Sequence, residues 1–212
     1  MTSLELMTEE VQVWVASLAV NDERYAQLAS LVPADESDHA SSLHPVAARR
    51  YVVARGILRN LLSGFTGTSP KKLRFDYGAS GKPSLSDRHD IHFNISHSAD
   101  LGLFAFSPDR PVGVDVENER PVRRLLDVAQ RFMTDTELRA LADIPADKRN
   151  SEFLRSWVVR EARLKAEGKG VWSGNPSNST NLTHKLFTPR PNYIAAVAAT
   201  DDWRLYTCAM KD

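Results

Sequence analysis

The chain has 212 residues, of which 42% are hydrophobic and 25% charged, and its formal net charge is zero. This composition is that of an ordinary globular protein and excludes disordered, collagen-like and disulfide-rich classes. Cys208 is the one cysteine, so an internal disulfide cannot form. No apolar run approaches the roughly 18–20 residues that a membrane span needs, and the first residues lack the pattern of a signal peptide. We therefore expect a cytoplasmic protein without a membrane partner.

Charge is spread unevenly along the chain. Residues 1–48 hold eight acids and one base, which gives −7, and residues 49–212 hold 26 bases and 19 acids, which gives +7. The second part could suit an anionic partner, although ordinary surface charge explains the same pattern. Because no dense basic stripe is present, we expect no nucleic-acid partner.

Apolar spacing predicts a strand, two helices and a series of strands in the first half. The elements are a strand at 11–15, a helix at 22–31, a polar loop at 33–45, a helix from Val46 that ends at Gly64 and Gly67, a strand near Leu73 and Phe75, a loop at 78–83, and strands at 91–95 and 101–106.

The second half repeats this order after a break near 107–111. Its elements are a strand at 112–116, helices at 121–132, 134–142 and 147–167, a loop at 173–181, and strands near 184–188, 193–199 and 203–209. The repetition predicts an α+β fold made of two similar α/β subdomains, 1–107 and 108–212, of which the second carries the acidic residues discussed next.

Asp115 and Glu117 occupy positions i and i+2 of a predicted strand, so both carboxylates project from one face. Two like charges this close repel each other and need a cation or solvent. A magnesium ion fits, since it takes one or two carboxylates together with phosphate oxygens of a substrate. The alternative is a strand end with solvated acids.

A second set of charged residues lies on the helix Trp157–Lys165. Glu161 and Lys165 are four residues apart and share one helix face, where they could simply form an ion pair. The functional hypothesis makes Glu161 a third metal carboxylate and Lys165 a phosphate ligand.

The segment Phe93–Ser98 follows a strand and offers hydroxyls, an imidazole and backbone N–H groups, which can hold a phosphate. A serine hydrolase is a weaker hypothesis because the Gly-x-Ser-x-Gly motif is absent. A zinc site at His89, His92 and His97 is weaker still, since no cysteines cluster with them.

Five motifs in chain order resemble those of 4′-phosphopantetheinyl transferases of the surfactin-synthetase-activating type. They are Gly81–Pro83, Phe93–Ser98, Gly113–Glu117, Arg131–Glu137 and Trp157–Gly170. The resemblance extends over about 45–170 and implies the family's fold, a pseudo-twofold pair of α+β subdomains in one chain.

The resemblance also implies a reaction. The family moves the 4′-phosphopantetheine group of coenzyme A onto a serine of an apo acyl or peptidyl carrier protein and releases adenosine 3′,5′-bisphosphate, the activity of a holo-[acyl-carrier-protein] synthase. We expect Mg²⁺ as cofactor, with Mn²⁺ as the alternative, coenzyme A as co-substrate, and a monomer. Carriers of fatty-acid, polyketide, nonribosomal peptide and lysine-pathway enzymes all remain open.

The resemblance assigns roles to residues by their match to the motifs. The implied metal ligands are Asp115, Glu117 and Glu161. The implied catalytic residues are Glu137, Glu161 and Lys165, with Glu137 as the base for the carrier serine and a metal-bound water as the alternative. The implied coenzyme A ligands are Arg49, Arg50, Lys82, Pro83, Ser96, His97, Arg160 and Lys165.

Two departures from the family pattern concern charge. Arg160 stands where the family usually has lysine, and it keeps the positive charge. Residues 25–48 contain no Lys or Arg, where the family often has bases for the 3′-phosphate. We therefore expect Arg49, Arg50 and His44 to bind that phosphate, or coenzyme A to bind more weakly.

The segment Arg120–Leu126 combines three arginines with apolar residues just beyond Glu117. Because the resemblance implies an acidic carrier, we expect Arg123 and Arg124 to steer it and Leu125 and Leu126 to contact it. The alternative is an amphipathic surface helix whose leucines face the core.

Two other functions stay open beside the transferase. A non-catalytic module that binds coenzyme A or a carrier would have a broken set of metal carboxylates, whereas all three are present. A different Mg²⁺-dependent phosphotransferase would need its own nucleotide loop, and the sequence has no Gly-x-x-x-x-Gly-Lys-Ser/Thr motif.

Overall fold

The computed structural model of the protein describes residues 4–170 and 181–210, which contain six α-helices and nine strands. The helices are α1 (Asp22–Ala29), α2 (Ala34–Ser41), α3 (Pro45–Thr66), α4 (Leu125–Ala129), α5 (Asp135–Asp143) and α6 (Ala146–Ala166). The strands are β1 (Glu10–Ser17), β2 (Phe75–Tyr77), β3 (Pro83–Leu85), β4 (His92–Ser98), β5 (Leu101–Ser107), β6 (Val112–Asn118), β7 (Leu182–Phe187), β8 (Tyr193–Thr200) and β9 (Arg204–Ala209). The predicted α+β class is confirmed. The loop predicted at 173–181 lies outside the described residues, apart from Asn181.

The strands form two main sheets and a small hairpin. The first sheet has the order β4-β5-β1-β9, with β1 and β9 parallel and the other pairs antiparallel. The second sheet is antiparallel, in the order β6-β8-β7, and β2 pairs with β3. The last strand thus returns to the sheet of the first strand. The division at residue 107 stays a prediction.

Side chains of β4 connect the two sheets. Asn94 accepts a hydrogen bond from the backbone N–H of Val114 at 2.9 Å, and Ser98 Oγ accepts one from Asn118 N–H at 3.1 Å. Each step of two residues along β4 matches a step of two along β6, so the strands run in the same direction. Their carboxyl ends therefore lie side by side.

Helix α6 packs directly on β6 because Gly113 has no side chain. A Cβ atom at this position would lie 2.0 Å from the carbonyl oxygen of Ala162, a distance that no real contact permits. Val158 and Ala162 are fully buried at this interface. The close approach places the charged residues of α6 over the acidic residues of β6.

Most predicted elements are confirmed to within a few residues, but two are wrong. The predicted loop 33–45 contains helix α2, whose Glu36 is buried against two arginines of α3. The predicted helix at 121–132 is reduced to α4, since Arg124 has the left-handed conformation with φ 54° and Val122 N–H bonds to the side chain of Asn150.

None of the helices within 4–170 and 181–210 is both long and apolar enough to cross a membrane.

Candidate active site

A cleft of about 1020 Å³ opens between α2, α3, the β2–β3 hairpin and the carboxyl ends of β4 and β6. The predicted site residues that line it are Arg50, Pro83, His97 and Glu117. The mixed polar and apolar lining suits an elongated ligand that carries charge.

Asp115 is the most enclosed carboxylate of β6, with 5% of its surface exposed. Its Oδ1 atom accepts hydrogen bonds from Ser96 Oγ at 2.8 Å and from Lys165 Nζ at 2.7 Å. Its Oδ2 atom is buried and has no hydrogen-bond partner among the residues that the structure describes. Since buried oxygens are almost always satisfied, Asp115 has a free position for one more positive partner.

Glu117 lies two residues further along the same face and borders the cleft. Its Oε2 atom accepts a hydrogen bond from Ser98 Oγ at 2.9 Å. Burial, with a contribution from the charge of Asp115, raises the pKa of Glu117, while the bond from Ser98 opposes this rise.

Glu161 of α6 is 3% exposed and accepts a hydrogen bond from Arg160 Nη1 at 2.9 Å. Burial first, and then the charge of Asp115, raises the pKa of Glu161 to about 7, although Lys165 and Arg160 act in the opposite direction. The surroundings of Glu161 within the protein therefore disfavour its ionised form.

These carboxylates fit an open metal site better than a closed one. The unpartnered oxygen of Asp115 and the mutual repulsion with Glu161 are features that a hard divalent cation would relieve. Within residues 4–170 and 181–210, no three His, Cys, Asp or Glu groups lie close enough to hold an ion by themselves. Substrate oxygens would have to complete the coordination, as is usual for Mg²⁺. The assignment of Asp115, Glu117 and Glu161 as ligands stays a prediction.

In the part of the chain that the structure describes, His89, His92 and His97 do not come together as a metal-binding group.

Lys165, Ser96 and His97 lie near the carboxylates of β6, Asp115 and Glu117. Lys165 Nζ lies 3.2 Å from both Ser96 Oγ and the carbonyl oxygen of Val114, in addition to its contact with Asp115. Burial, and secondly the charge of Lys165, lowers the pKa of His97, which favours the neutral imidazole. The structure thus brings Lys165 and Ser96 into contact with Asp115 and places His97 in the cleft that Glu117 lines.

The two arginines that open α3 point in different directions. Arg50 borders the cleft and donates from Nε at 3.0 Å and from Nη2 at 2.5 Å to Asp100 Oδ1. Arg49 does not line the cleft; it pairs with Asp22 at 2.8 Å and covers the ring of Tyr25. Of the two, Arg50 borders the cleft, and the roles of both arginines as coenzyme A ligands stay predictions.

Lys82 is turned away from the cleft that its neighbour Pro83 lines. Its ammonium group donates to the carbonyl oxygens of Val112 at 2.9 Å and Lys165 at 2.7 Å. Burial lowers the pKa of Lys82 to about 8. The role of Lys82 as a phosphate ligand is not tested by these contacts.

Glu137 caps helix α5. Its Oε2 atom accepts hydrogen bonds from the backbone N–H and the hydroxyl of Thr134, both at 2.8 Å, in a capping box. It lines a separate groove of about 600 Å³, beside Arg160. The role of Glu137 as catalytic base stays a prediction.

The hydrogen bonds of Ser98 to Glu117 and of Arg50 to Asp100 are not predicted by the sequence motifs. Ser98 could have been found, because Ser96 and Ser98 alternate with the same period as Asp115 and Glu117. Asp100 lies in a turn and shows no such signal.

Comparison with known proteins shows the family to which the chain belongs. The profile of the 4′-phosphopantetheinyl transferase superfamily matches residues 111–207. The chain is 36% identical over 173 residues to the 4′-phosphopantetheinyl transferase HetI of Nostoc sp. (strain PCC 7120), which covers 80% of this chain and 73% of HetI. It is 31% identical over 153 residues to the 4′-phosphopantetheinyl transferase ffp of Bacillus subtilis, covering 72% of this chain and 67% of that protein. It is 33% identical over 128 residues to the 4′-phosphopantetheinyl transferase Sfp of Bacillus subtilis (strain 168), covering 60% and 56%. The predicted resemblance is confirmed, and the chain belongs to the 4′-phosphopantetheinyl transferase family.

Proposed function

We propose that the chain transfers the 4′-phosphopantetheine group from coenzyme A to a serine of an apo carrier protein, with the help of Mg²⁺ or Mn²⁺. Family membership supports the reaction. The observation that carries the site assignment is the buried acidic group of Asp115 and Glu161, with an unpartnered Asp115 oxygen beside the cationic Lys165.

In this proposal Asp115, Glu117 and Glu161 hold the divalent cation. When bound, the cation neutralises negative charge on the pyrophosphate of coenzyme A and on the leaving adenosine 3′,5′-bisphosphate. The hydroxyl of Ser96 fixes the orientation of Asp115 through its hydrogen bond at 2.8 Å. Lys165 adds a second positive charge at the same place.

Coenzyme A would occupy the cleft, with its nucleotide end towards α3 and the hairpin. Pro83 and His97 offer an apolar wall and a neutral imidazole, and Arg50 offers the positive charge. Asp100 accepts from Nε and Nη2 of Arg50, so a phosphate of coenzyme A would use the remaining N–H donors of this guanidinium group.

The carrier protein would dock beside Glu117. Arg123 and Arg124 are exposed, and Leu126 is 37% exposed, so these residues are available to a partner. A groove of about 310 Å³ shares Glu117 and Arg120 with the cleft. Leu125 differs from Leu126, because it is partly buried and packs against the core cluster that includes residues of α6.

We retain Glu137 as the proposed base for the carrier serine, with a water molecule as the alternative. The chain would act as a cytoplasmic monomer, and its single cysteine is compatible with a reducing compartment.

The experiment that tests the proposed function incubates the protein with coenzyme A, Mg²⁺ and a panel of apo carriers, and measures the mass of each carrier. We expect one or more carriers to gain a phosphopantetheine group, and the gain to disappear with EDTA. The double variant Arg123→Glu, Arg124→Glu should raise KM for an acidic carrier at low salt, where exposed charges act most strongly. A panel in which no carrier gains mass would contradict the proposal.

A further inference from the structure

Two side chains of the loop between β2 and β3 bind the carboxyl end of helix α6. Ser80 Oγ donates to the carbonyl oxygen of Gly168 at 2.7 Å, and Lys82 Nζ donates to that of Lys165 at 2.7 Å. Lys82 also donates to the carbonyl oxygen of Val112, the first residue of β6, at 2.9 Å. The loop, the strand and the helix end are thus joined at one ammonium group.

The chemistry of this junction favours a positive charge. The last carbonyl groups of an α-helix lack helical partners, and the helix dipole places partial negative charge there. The pKa of Lys82, lowered by burial to about 8, leaves the side chain mainly protonated at neutral pH. Hydrogen bonds from a charged donor are stronger than those between neutral groups.

The acceptors of Lys82 belong to the segments that carry the acidic group. Lys165, whose carbonyl oxygen accepts from Lys82, places its own ammonium group 2.7 Å from Asp115. Val112 begins the strand that carries Asp115 and Glu117. The position of Lys82 therefore influences both the ammonium group of Lys165 and the carboxylates of Asp115 and Glu117.

We propose that Lys82 is a positioning residue: through the carbonyl groups of Lys165 and Val112 it fixes the carboxyl end of α6 relative to β6, and it does not act as a phosphate ligand. Its effect on catalysis rests on the proposed transferase function. Its effect on the helix end does not, and can be measured without substrate.

The test compares Lys82→Met, which removes the donors but keeps the length of the side chain, with Lys82→Arg, which keeps charge and donors. Lys72→Met, at an exposed lysine of the same region, is the matched control. In the absence of substrate, we expect Lys82→Met to lower the Tm by about 5–10 °C, as the loss of two charged hydrogen bonds implies. Amide hydrogen exchange at residues 167–169 should become faster, and Lys82→Arg should recover most of both effects.

With substrate, the two roles of Lys82 give opposite patterns. If Lys82 is a positioning residue, Lys82→Met should lower kcat roughly 10-fold and change the Kd for coenzyme A less than about 2-fold. The reason is that the variant disturbs transition-state interactions of residues on α6 and β6, which Lys82 holds in place. A Kd that rises 10-fold or more, with unchanged exchange at 167–169, would show a phosphate ligand and overturn the proposal.

Ser80→Ala provides a second variant if Lys82→Met does not fold, because it removes one hydrogen bond at an exposed position. We expect a smaller increase in exchange at the same amides, and unchanged exchange would overturn the proposal. If wild-type protein modifies no carrier while the exchange pattern follows the expectation, the proposed function fails and the positioning of α6 stands.

Discussion

Glu36 and Glu161 are both almost completely buried, with 7% and 3% of their surface exposed, yet their environments act in opposite directions. Burial would raise the pKa of Glu36, but hydrogen bonds and charges from Arg55 and Arg59 lower it to about 2. Burial and the charge of Asp115 raise the pKa of Glu161 to about 7. The positive charges around Glu36 outweigh the effect of its burial, whereas those around Glu161 do not.

The difference separates a structural ion cluster from a functional one. Arg59 binds Glu36 and also donates to the carbonyl oxygen of Pro70 at 2.6 Å, so the cluster holds α2, α3 and the following turn together. Among residues 4–170 and 181–210, Asp115 Oδ2 beside Glu161 has no hydrogen-bond partner. Strongly perturbed carboxylates often mark functional sites, and in the proposed function this group binds a cation.

The contrast between Glu36 and Glu161 would be refuted most clearly if the carboxylates of Asp115 or Glu161 could be removed without loss of transfer. Asp115→Asn or Glu161→Gln should reduce transfer to a carrier by a factor of roughly 1000 or more, since the pyrophosphate charge is then not neutralised. Asp202→Asn, at an exposed acid, is the control and should keep full activity. Either site variant with wild-type turnover and a normal Mg²⁺ dependence would refute the assignment.

The structural cluster should respond to pH in the way its lowered pKa demands. A folded-state pKa of about 2 against the usual 4.5 means that Glu36 contributes about 3 kcal/mol above pH 4.5, and that this is lost as pH falls through 2. In urea unfolding, Glu36→Gln should therefore be about 3 kcal/mol less stable than wild type at pH 7. The gap should nearly close at pH 2. A gap independent of pH would mean that the ion pairs are not its cause.

The stability contribution of Glu161 should depend on pH in the opposite direction to that of Glu36. Because the folded-state pKa of Glu161 is raised to about 7, its ionisation opposes folding, and stability falls as pH rises from 4.5 to 7. In EDTA at pH 8, Glu161→Gln should be more stable than wild type by about 2–3 kcal/mol, and similar to it at pH 4. A variant that is less stable than wild type at pH 8 would contradict the comparison.

A smaller effect should follow from Ser98, whose hydroxyl lowers the pKa of Glu117. Ser98→Ala should reduce transfer by roughly 3- to 10-fold, as expected for the loss of one hydrogen bond to a charged group, and the loss should be larger at pH 6 than at pH 8, because the hydroxyl favours the ionised form of Glu117. Ser107→Ala on the next strand is the control. Equal losses at both pH values would assign Ser98 a packing role instead.

Local patterns predicted most of the fold because they depend on neighbouring residues. Alternating apolar residues predicted β4 and β6, a continuous apolar run predicted β5, and helical spacing predicted α3 and α6. Helix α2 was missed because it depends on a buried ion cluster with Arg55 and Arg59, which lie on another helix. No periodicity within 33–45 reports such a contact.

The site was predictable where the spacing of two residues in the sequence places them on one face of a strand or helix. This holds for Asp115 with Glu117 on a strand and for Glu161 with Lys165 on a helix. It was less predictable where side chains turn towards distant backbone groups. The contacts of Lys82 with Val112 and Lys165 cross 30 and 83 residues of sequence. Similarly, Glu137 forms a capping box with Thr134, a contact that the resemblance does not imply and that leaves its role as base a prediction.

The central claim is that the carboxylates of β6 and α6 lack a cation, and a titration with Mg²⁺ followed by thermal unfolding tests it most directly. With coenzyme A present throughout, Mg²⁺ should raise the Tm of the wild type by a few degrees, as expected for a ligand of the folded state. Asp115→Asn and Glu161→Gln should show no such rise, while Asp202→Asn should follow the wild type. An equal rise in wild type and both site variants would place the cation elsewhere and contradict the account.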